Sequence, residues 1–253
     1  MSKENQEKYW LDPRHLEYHR RQFSTPYRSI MALGELLRAR IGGAMAGRAV
    51  DVACGAGANI CHLGRMFPGV QWTGVDIADA LFPLGLQLMR DEGMDPLPHL
   101  QKADAYRLCN VLPAGSFDLT FSIQTLSWMP AYEEPLEQLF KVTRPGGWIV
   151  ISSLFTDSLV DAQIEIRQYP NGPAAPFDGP SHYNIYCMER FEGVCRKLGA
   201  SDVISADFEM DVDLPKPEHR LMGTYTERMS SGRRLQVSGP LLMPWKFVLI
   251  RVA

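Results

Sequence analysis

Apolar side chains recur along this chain at two different spacings, and each spacing predicts a different kind of element. Residues 16–27 and 28–41 carry apolar or aromatic side chains every three or four positions, which predicts two helices with one apolar face each. Thr25-Pro26 is typical of an N-cap followed by a first-turn proline, so we expect the second helix to begin there. Gly42-Gly43 is expected to end it.

From residue 48 onward, short apolar runs alternate with helical segments. The predicted strands are 48–53, 71–76, 100–103, 117–122 and 148–154, and the predicted helices between them are 59–67, 79–92 and 134–142. Strands separated by helices imply right-handed crossovers and a parallel sheet. The sequence therefore predicts a doubly wound α/β fold.

The alternation ends after residue 154. Residues 168–186 are rich in Pro, Gly, Asn and aromatics, which predicts an ordered loop. A helix is expected over 188–198, and two last strands over 203–210 and 246–252, with a polar insertion between them. No repeat or low-complexity tract divides the 253 residues, so we expect a single domain over 1–253.

Composition narrows the function classes. The chain is 45% hydrophobic and 22% charged, as globular domains are, and its net charge of −3 disfavours nucleic acid as a main partner. The five cysteines are odd in number and include no CxxC pair, which disfavours a disulfide scaffold or a zinc site. The polar first thirty residues, and the lack of an apolar run of about 20 residues, predict a cytoplasmic protein without a membrane span.

The clearest chemical motif follows the first predicted strand. Gly55 and Gly57 are separated by one residue at a strand-to-helix turn, where missing Cβ atoms let a ligand approach the backbone. In an open α/β sheet this turn lies at the expected binding crevice. A nicotinamide-binding enzyme would need a third glycine where this chain has Ile60, so a dinucleotide is disfavoured.

The wider context of this motif resembles the class I methyltransferase family. The resemblance is carried by D-x-A-C-G-x-G from Asp51, Gly74-Val75-Asp76, Ala103-Asp104-Ala105, Phe117-Asp118-Leu119 and Arg144-Pro145-Gly146-Gly147. These segments cover residues 48–154 in the family's order. The resemblance implies a seven-stranded, mostly parallel sheet and S-adenosylmethionine as cofactor, with S-adenosylhomocysteine as product. It also divides the domain into a helical lid (1–43), a cofactor-binding core (44–154) and substrate-side loops with the last strands (155–253).

The resemblance also implies roles for individual residues. Asp76 would bind the ribose hydroxyls, Asp51 would help to hold the methionine end, and Asp104 would lie near the adenine amino group. A turn-capping role is the alternative for Asp51 and Asp104. Ala53 replaces a family glycine and would be strained at positive φ. The predicted cofactor-binding set is Asp51, Ala53, Gly55, Gly57, Asp76, Ile77, Asp104, Ala105 and Ser122.

Methyl transfer requires an aligned acceptor, a water-free site and, for some oxygen acceptors, a general base. The base candidates are His182, His15 and His19, and the predicted substrate-binding residues are Tyr18, Gln124, Trp128, Tyr183 and Asn184. No metal is predicted, because the spacing of His15 and His19 lacks the glutamate of a zinc motif.

The acceptor is expected to be a small molecule with an oxygen or nitrogen nucleophile, such as a metabolite, a sugar-linked intermediate or a natural-product precursor. The sequence lacks the Pro-Pro element of amino-directed DNA methyltransferases after strand four, and it has no basic, aromatic stripe that would track RNA. Two alternatives stay open. One is an RNA or protein methyltransferase, and the other is a non-catalytic binding protein of the same fold. The oligomeric state is not predicted.

Overall fold

The structure is a computed structural model that describes residues 13–42, 45–169 and 181–253. Its first elements are the helices α1 (Pro13–Ser24) and α2 (Arg28–Arg40). The predicted start of α2 at Thr25-Pro26 is wrong, because the Thr25 N–H donates to the Arg21 carbonyl and closes the last turn of α1. Tyr27, in an extended conformation, is the N-cap of α2.

Alternating strands and helices follow. The strands in chain order are β1 (Ala46–Val52), β2 (Gly69–Asp76), β3 (His99–Lys102), β4 (Phe117–Ile123), β5 (Thr143–Thr156), β6 (Glu165–Ile166), β7 (Ser181–His182), β8 (Tyr186–Cys187), β9 (Ala200–Asp207), β10 (Thr224–Arg228), β11 (Arg234–Ser238), β12 (Leu241–Leu242) and β13 (Trp245–Val252). The later helices are α3 (Ala58–Met66), α4 (Phe82–Asp91), α5 (Glu133–Val142) and α6 (Met188–Lys197).

The central sheet has the order β3-β2-β1-β4-β5-β13-β9, and β8 adds to the end of β5. Strands β1 to β5 are parallel to one another, whereas β13 runs antiparallel to both β5 and β9. The predicted doubly wound, seven-stranded and mostly parallel sheet is therefore confirmed. In such a sheet the carboxyl ends of the parallel strands form one common edge.

Both faces of the sheet are buried at its central strands β1, β4, β5 and β13, which explains why these strands contain continuous apolar runs. Neighbouring residues of a strand point to opposite faces, so Ala49 packs with α2, α3 and α4, and Val50 packs with α5 and α6. Val150 and Ile151 of β5 divide between the same two cores. Helix α1 packs against α3 and α4 on the first face.

The segment between β9 and β13 differs from the predicted polar insertion. Strands β10, β11 and β12 form a separate three-stranded antiparallel sheet, in which Tyr225 pairs with Val237 and Thr226 pairs with Gln236. The buried positions of this small sheet include the polar residues Gln236 and Ser238 as well as Tyr225. The last long strands match their predictions within three residues.

Candidate active site

A loop of residues 53–57, which we call the glycine loop, joins β1 to α3 at the carboxyl edge of the sheet. Ala53, Gly55 and Gly57 all have positive φ, at 61°, 55° and 90°. A Cβ added at Gly55 would meet no atom within 4 Å, so this side of the loop is open to a ligand. Ala53 occupies the left-handed region with its Cβ in place, which costs about 1–2 kcal/mol.

Two further glycines let neighbouring elements approach this loop. A Cβ at Gly74 of β2 would lie 2.9 Å from the Cys54 sulfur. A Cβ at Gly85 of α4 would overlap the carbonyl oxygen of Ala56. Gly85 was not predicted as a site residue, although a glycine inside a helix is itself a signal of close packing. The loop conformation is thus fixed by contacts with both β2 and α4.

Asp76, at the end of β2, binds the glycine loop directly. Its Oδ2 accepts a hydrogen bond from the Gly55 N–H at 2.8 Å, and its Oδ1 accepts one from the Ala78 N–H at 2.8 Å. Burial raises the pKa of Asp76, and the backbone hydrogen bonds partly offset that rise. Backbone hydrogen bonds from Gly55, Ile77 and Ala78 leave a further acceptor site on the carboxylate, so the predicted contact with a ribose hydroxyl is compatible with this geometry.

Asp51, near the end of β1, is 1% exposed, and neither of its carboxylate oxygens has a hydrogen-bond partner among the described residues. Burial, followed by repulsion from Asp76, raises the pKa of Asp51 to about 8. The alternative that Asp51 caps the turn is wrong, because no N–H of the described turn donates to it. A buried carboxyl group without partners is complementary to a cation or to several donors.

These residues fit the cofactor that the resemblance implies. S-adenosylmethionine carries a sulfonium and an ammonium group, which match the unpartnered Asp51 carboxyl group, and it carries sugar hydroxyls, which match Asp76. The open side of Gly55 offers backbone that a ligand can approach closely. Burial is the main cause that raises the pKa of the Cys54 thiol, and repulsion from the carboxyl groups of Asp51 and Asp76 raises it further. This cysteine is therefore not activated as a nucleophile.

The remaining predicted cofactor residues lie along the same edge. Asp104 and Ala105 follow β3, and Asp104 caps a 3₁₀ turn by accepting from the Tyr106 N–H at 3.0 Å. The turn role weighed for Asp104 is therefore present, and one of its oxygens remains for an adenine contact. Ile77 is half-buried directly after Asp76, and Ser122 is buried within β4.

The exit of β4 gathers several of the predicted substrate residues. Gln124 has a φ of 53°, and its N–H donates to the Ser152 carbonyl at 2.7 Å. Trp128, in the following 3₁₀ turn, meets the ring of Tyr183 edge-on with centroids 4.1 Å apart. His182 precedes Tyr183, and its strand β7 contacts the same turn. Gln124, Trp128, Tyr183 and His182 thus come together beside the glycine-loop edge.

Ala53 and Gln124 share an unusual property. They are the two non-glycine residues with positive φ among residues 13–42, 45–169 and 181–253. One follows β1 and the other follows β4, which are neighbours in the sheet. Strained backbone of this kind concentrates at binding and catalytic sites. The strain therefore marks the same crevice as the glycine loop.

Asn184 is part of the loop architecture. Its side chain is 1% exposed, its Oδ1 accepts from the Ile164 N–H at 3.0 Å, and its Nδ2 donates to the Met129 carbonyl at 2.8 Å and to the Tyr186 hydroxyl at 3.2 Å. Both amide hydrogens are engaged. These contacts argue against the prediction that Asn184 binds substrate, and they assign it to holding residues 129, 164 and 186 together.

The predicted lid residues differ in their surroundings. His19 is buried, with its Nδ1 3.3 Å from the Gln22 Oε1, and the Tyr18 hydroxyl accepts hydrogen bonds from Gln22 and from the Tyr27 hydroxyl. These contacts support a packing role for both side chains. The side chain of His15 and residues 1–12 lie outside the described residues, so the predictions made for them stay predictions.

Comparison with known proteins agrees with this geometry. Residues 50–151 match a family described as a methyltransferase domain. The trans-aconitate 2-methyltransferase of Deinococcus radiodurans is 31% identical over 104 residues, which cover 40% of this chain and 36% of that protein. For the first three curated relatives, the matched segment spans 36%, 27% and 40% of their own length.

Solved structures show the same fold. The phosphoethanolamine N-methyltransferase 2 of Haemonchus contortus, in complex with S-adenosyl-L-methionine, matches with a TM-score of 0.60 and 13% identity over 100% of this chain and 60% of that chain. The [4+2]-cyclase SpnF matches with a TM-score of 0.53 and 19% identity over 70% of this chain and 60% of that chain. In the part of the chain that the structure describes, no helix has the length and apolar character of a membrane span, and no cluster of three or more metal-ligating side chains occurs.

Proposed function

We propose that this chain, whose residues 50–151 form a methyltransferase domain of the class I fold, transfers a methyl group from S-adenosylmethionine to a small-molecule acceptor. The observation that carries the proposal is the buried and unpartnered carboxyl group of Asp51 beside the glycine loop. It provides a carboxyl group enclosed by protein, which would lose its proton and become the counter-charge when the cationic end of the donor binds.

In this proposal the donor is held by the residues that meet at the carboxyl ends of β1, β2 and β3. Asp51 attracts the cationic methionine end, Asp76 accepts hydrogen bonds from the ribose hydroxyls, and the backbone of Gly55 and Gly57 faces the cofactor. Asp104 and Ala105 border the adenine. Asp76 also anchors the loop through Gly55, so the same carboxylate shapes the site and binds the sugar.

The bound sulfonium would supply an already activated methyl group. The chain must then align the acceptor in line with the carbon–sulfur bond and keep water away. Gln124, Trp128 and Tyr183 line the exit of β4 and would position the acceptor. His182, in the strand that contacts this turn, would take a proton from an oxygen or nitrogen nucleophile at one ring nitrogen.

A small-molecule acceptor is supported by two relatives whose names state such substrates, trans-aconitate for one and phosphoethanolamine for the other. The net charge of −3 gives no general attraction to a polyanion. We infer an oxygen or nitrogen nucleophile, because the names of these two relatives state a carboxylate-bearing and an amine-bearing substrate. His182 would take the proton of a hydroxyl or amine acceptor, whereas a carboxylate acceptor would need no base.

Calorimetric titration with S-adenosylhomocysteine tests the cofactor half of this proposal. Asp76→Ala removes charge-assisted hydrogen bonds worth about 1.5–3 kcal/mol each, so affinity should fall about 10- to 150-fold. Asp202→Ala, an exposed aspartate of β9 on the far side of the sheet, is the matched control and should bind as the wild type does.

The result that would overturn the proposal is a wild-type protein that shows neither heat of binding nor a thermal shift with S-adenosylhomocysteine. Cofactor binding without transfer to any of a panel of hydroxyl- and amine-bearing small molecules would favour the non-catalytic alternative. Transfer to RNA or to a peptide mixture would favour a macromolecular acceptor.

A further inference from the structure

A cavity of about 250 Å³ lies at the carboxyl edge of the central sheet, between that sheet and the small sheet β10–β12. The ends of β5 and β9 and the start of β13 form its floor, and β11, β12 and the residues just before β11 form its roof. Because β13 is antiparallel to β5, its first residues lie at the same edge as the last residues of β5. This cavity therefore faces the same side of the sheet as the glycine loop.

Only β4 separates the two sites in the sheet order, since the glycine loop follows β1 and the cavity begins at β5. Neighbouring strands lie about 4.8 Å apart, so the two sites are about 10 Å apart across the strands. Along the strands, Asp51 is level with Val150, and the cavity begins five residues further on, at Phe155. The exit of β4, with Gln124 and Trp128, lies between them. One acceptor molecule of moderate size could reach from the cavity to the donor.

The polar groups of the cavity indicate what it would bind. Its lining includes three acidic side chains, Asp157, Asp207 and Glu209, and three basic ones, Arg233, Arg234 and Lys246, which leave no net charge. Burial on its own would lower the pKa of Lys246, but its hydrogen bonds to Asp207 and Asp157 outweigh burial and raise that pKa. Lys246 therefore stays charged and paired, and the cavity favours a neutral ligand.

Gln236 is the exception among these polar residues. It is 8% exposed, it lines the cavity, and its Oε1 has no hydrogen-bond partner within the described part of the chain. A buried amide oxygen without a partner is unusual in a folded protein. As placed, the Gln236 Oε1 is enclosed by protein, so a ligand could accept from the amide, or donate to its oxygen only after a half-turn of the terminal amide exchanges oxygen and nitrogen.

The rest of the lining is largely apolar and includes flat surfaces. Phe208, Leu235, Met243 and Trp245 contribute to the walls. The volume is below the roughly 300–1,000 Å³ of pockets that enclose a complete drug-sized ligand. The cavity is therefore suited to a ring-sized portion of a larger molecule.

We propose that this cavity binds the distal part of the methyl acceptor, and that this part is a neutral, hydroxyl-bearing ring hydrogen-bonded to Gln236. A hydroxyl group both donates and accepts, so it satisfies the amide in either orientation. The inference rests on the proposed function, because it takes the ligand of the cavity to be the acceptor of the same methyl-transfer site.

Phenol and toluene are suitable probes, because they have nearly the same shape and differ in one hydroxyl group. Their affinities for the wild type, Gln236→Leu and Gln71→Leu are measured by ligand-detected NMR titration. Gln71 is an exposed glutamine of β2, so it provides the same chemical change away from the cavity. The ratio of phenol to toluene affinity should fall about tenfold in Gln236→Leu and stay unchanged in Gln71→Leu.

A second measurement locates the probe independently of these variants. Phenol should shift the indole N–H resonance of Trp245, identified by its loss in Trp245→Phe, and this readout serves even if Gln236→Leu fails to fold. An unchanged affinity ratio in a folded Gln236→Leu protein, or an unmoved Trp245 resonance, would overturn the inference.

Titration of the same proteins with S-adenosylhomocysteine separates the two proposals. If Gln236→Leu binds S-adenosylhomocysteine normally but has not changed its phenol preference, the cavity inference fails and the proposed function stands. If the wild type does not bind S-adenosylhomocysteine, the proposed function fails, and the role of the cavity as an acceptor subsite fails with it, whatever the phenol titration shows.

Discussion

Replacing Asp51 by asparagine should stabilise the cofactor-free protein, although it removes a residue that we place in the binding site. Asp51 has a pKa of about 8 in the folded chain, compared with the ordinary value of 3.8. Folding at neutral pH therefore requires this carboxyl group to take up a proton. A protonated carboxyl group and an amide are both neutral, so Asp51→Asn removes the cost of protonation and keeps the shape.

The expected size follows from the two pKa values. At pH 7 the solution is about three units above the ordinary pKa, and each unit corresponds to about 1.4 kcal/mol, which gives up to about 4 kcal/mol. The unfolded chain loses this proton near pH 3.8, whereas the folded protein keeps it up to about pH 8. The stability of the wild type should therefore fall as pH rises through this range, and that slope should be absent in Asp51→Asn.

Urea unfolding of both proteins at pH 5, 7 and 8.5 measures this difference. The stability advantage of Asp51→Asn over the wild type should grow with rising pH. At pH 7, each kcal/mol of this advantage should raise the melting temperature by about 2–4 °C. Binding of S-adenosylhomocysteine should change in the opposite direction and weaken about tenfold or more, because the cationic end of the ligand loses its counter-charge. A stability difference that does not depend on pH would refute the reasoning.

Three other substitutions test the geometry around the site. Ala53→Gly should raise the free energy of unfolding by about 1 kcal/mol, because glycine adopts a φ of 61° without strain. Calorimetry should show that cofactor affinity is retained. A loss of stability would show that Ala53 is not strained. Gly85→Ala should destabilise the protein by about 1–3 kcal/mol and weaken S-adenosylhomocysteine binding, because the new Cβ overlaps Ala56 of the glycine loop. Gly193→Ala in α6 is the control and should have neither effect, because a Cβ at Gly193 would meet no atom within 4 Å. Asn184→Ala should lower the free energy of unfolding by about 1–3 kcal/mol, because it leaves the Ile164 N–H and the Met129 carbonyl unpaired, and it should not change cofactor affinity. An unchanged melting temperature would contradict this structural role and favour substrate binding by Asn184.

The donor half of the chain could be predicted well because its signals are local. The central strands β1, β4 and β5 are buried on both faces, so each has a short apolar run in the sequence, and the glycine loop lies directly after the first of them. Asp51 and Asp76 occupy strand ends that can be located from the same runs. The parallel pairing of these strands brings both carboxylates to one edge of the sheet. The strand order itself was not predicted.

The acceptor half could not be predicted to the same extent, because its structure depends on distant partners. Strands β10 and β11 do not bury a purely apolar face, since Gln236 and Ser238 are buried and Leu235 is only half-buried. Their sequences therefore lack the usual pattern of a strand. Asn184 resembles a substrate residue in sequence, but its partners are backbone groups 20 and 55 positions away. The burial of His19 likewise depends on the packing of α1 against α3 and α4. No short sequence window contains such information.

The antiparallel placement of β13 has a consequence for how this architecture can change. The described segments that follow β5 and β9, residues 157–169 and 208–244, leave the sheet at one edge, and β13 lies in the sheet between β5 and β9. Either segment could be shortened, lengthened or exchanged without altering the pairing of β1 to β5. Replacing the segments that follow β5 and β9 could therefore change the acceptor preference, in evolution or by engineering, while the residues that would bind the donor stay unchanged.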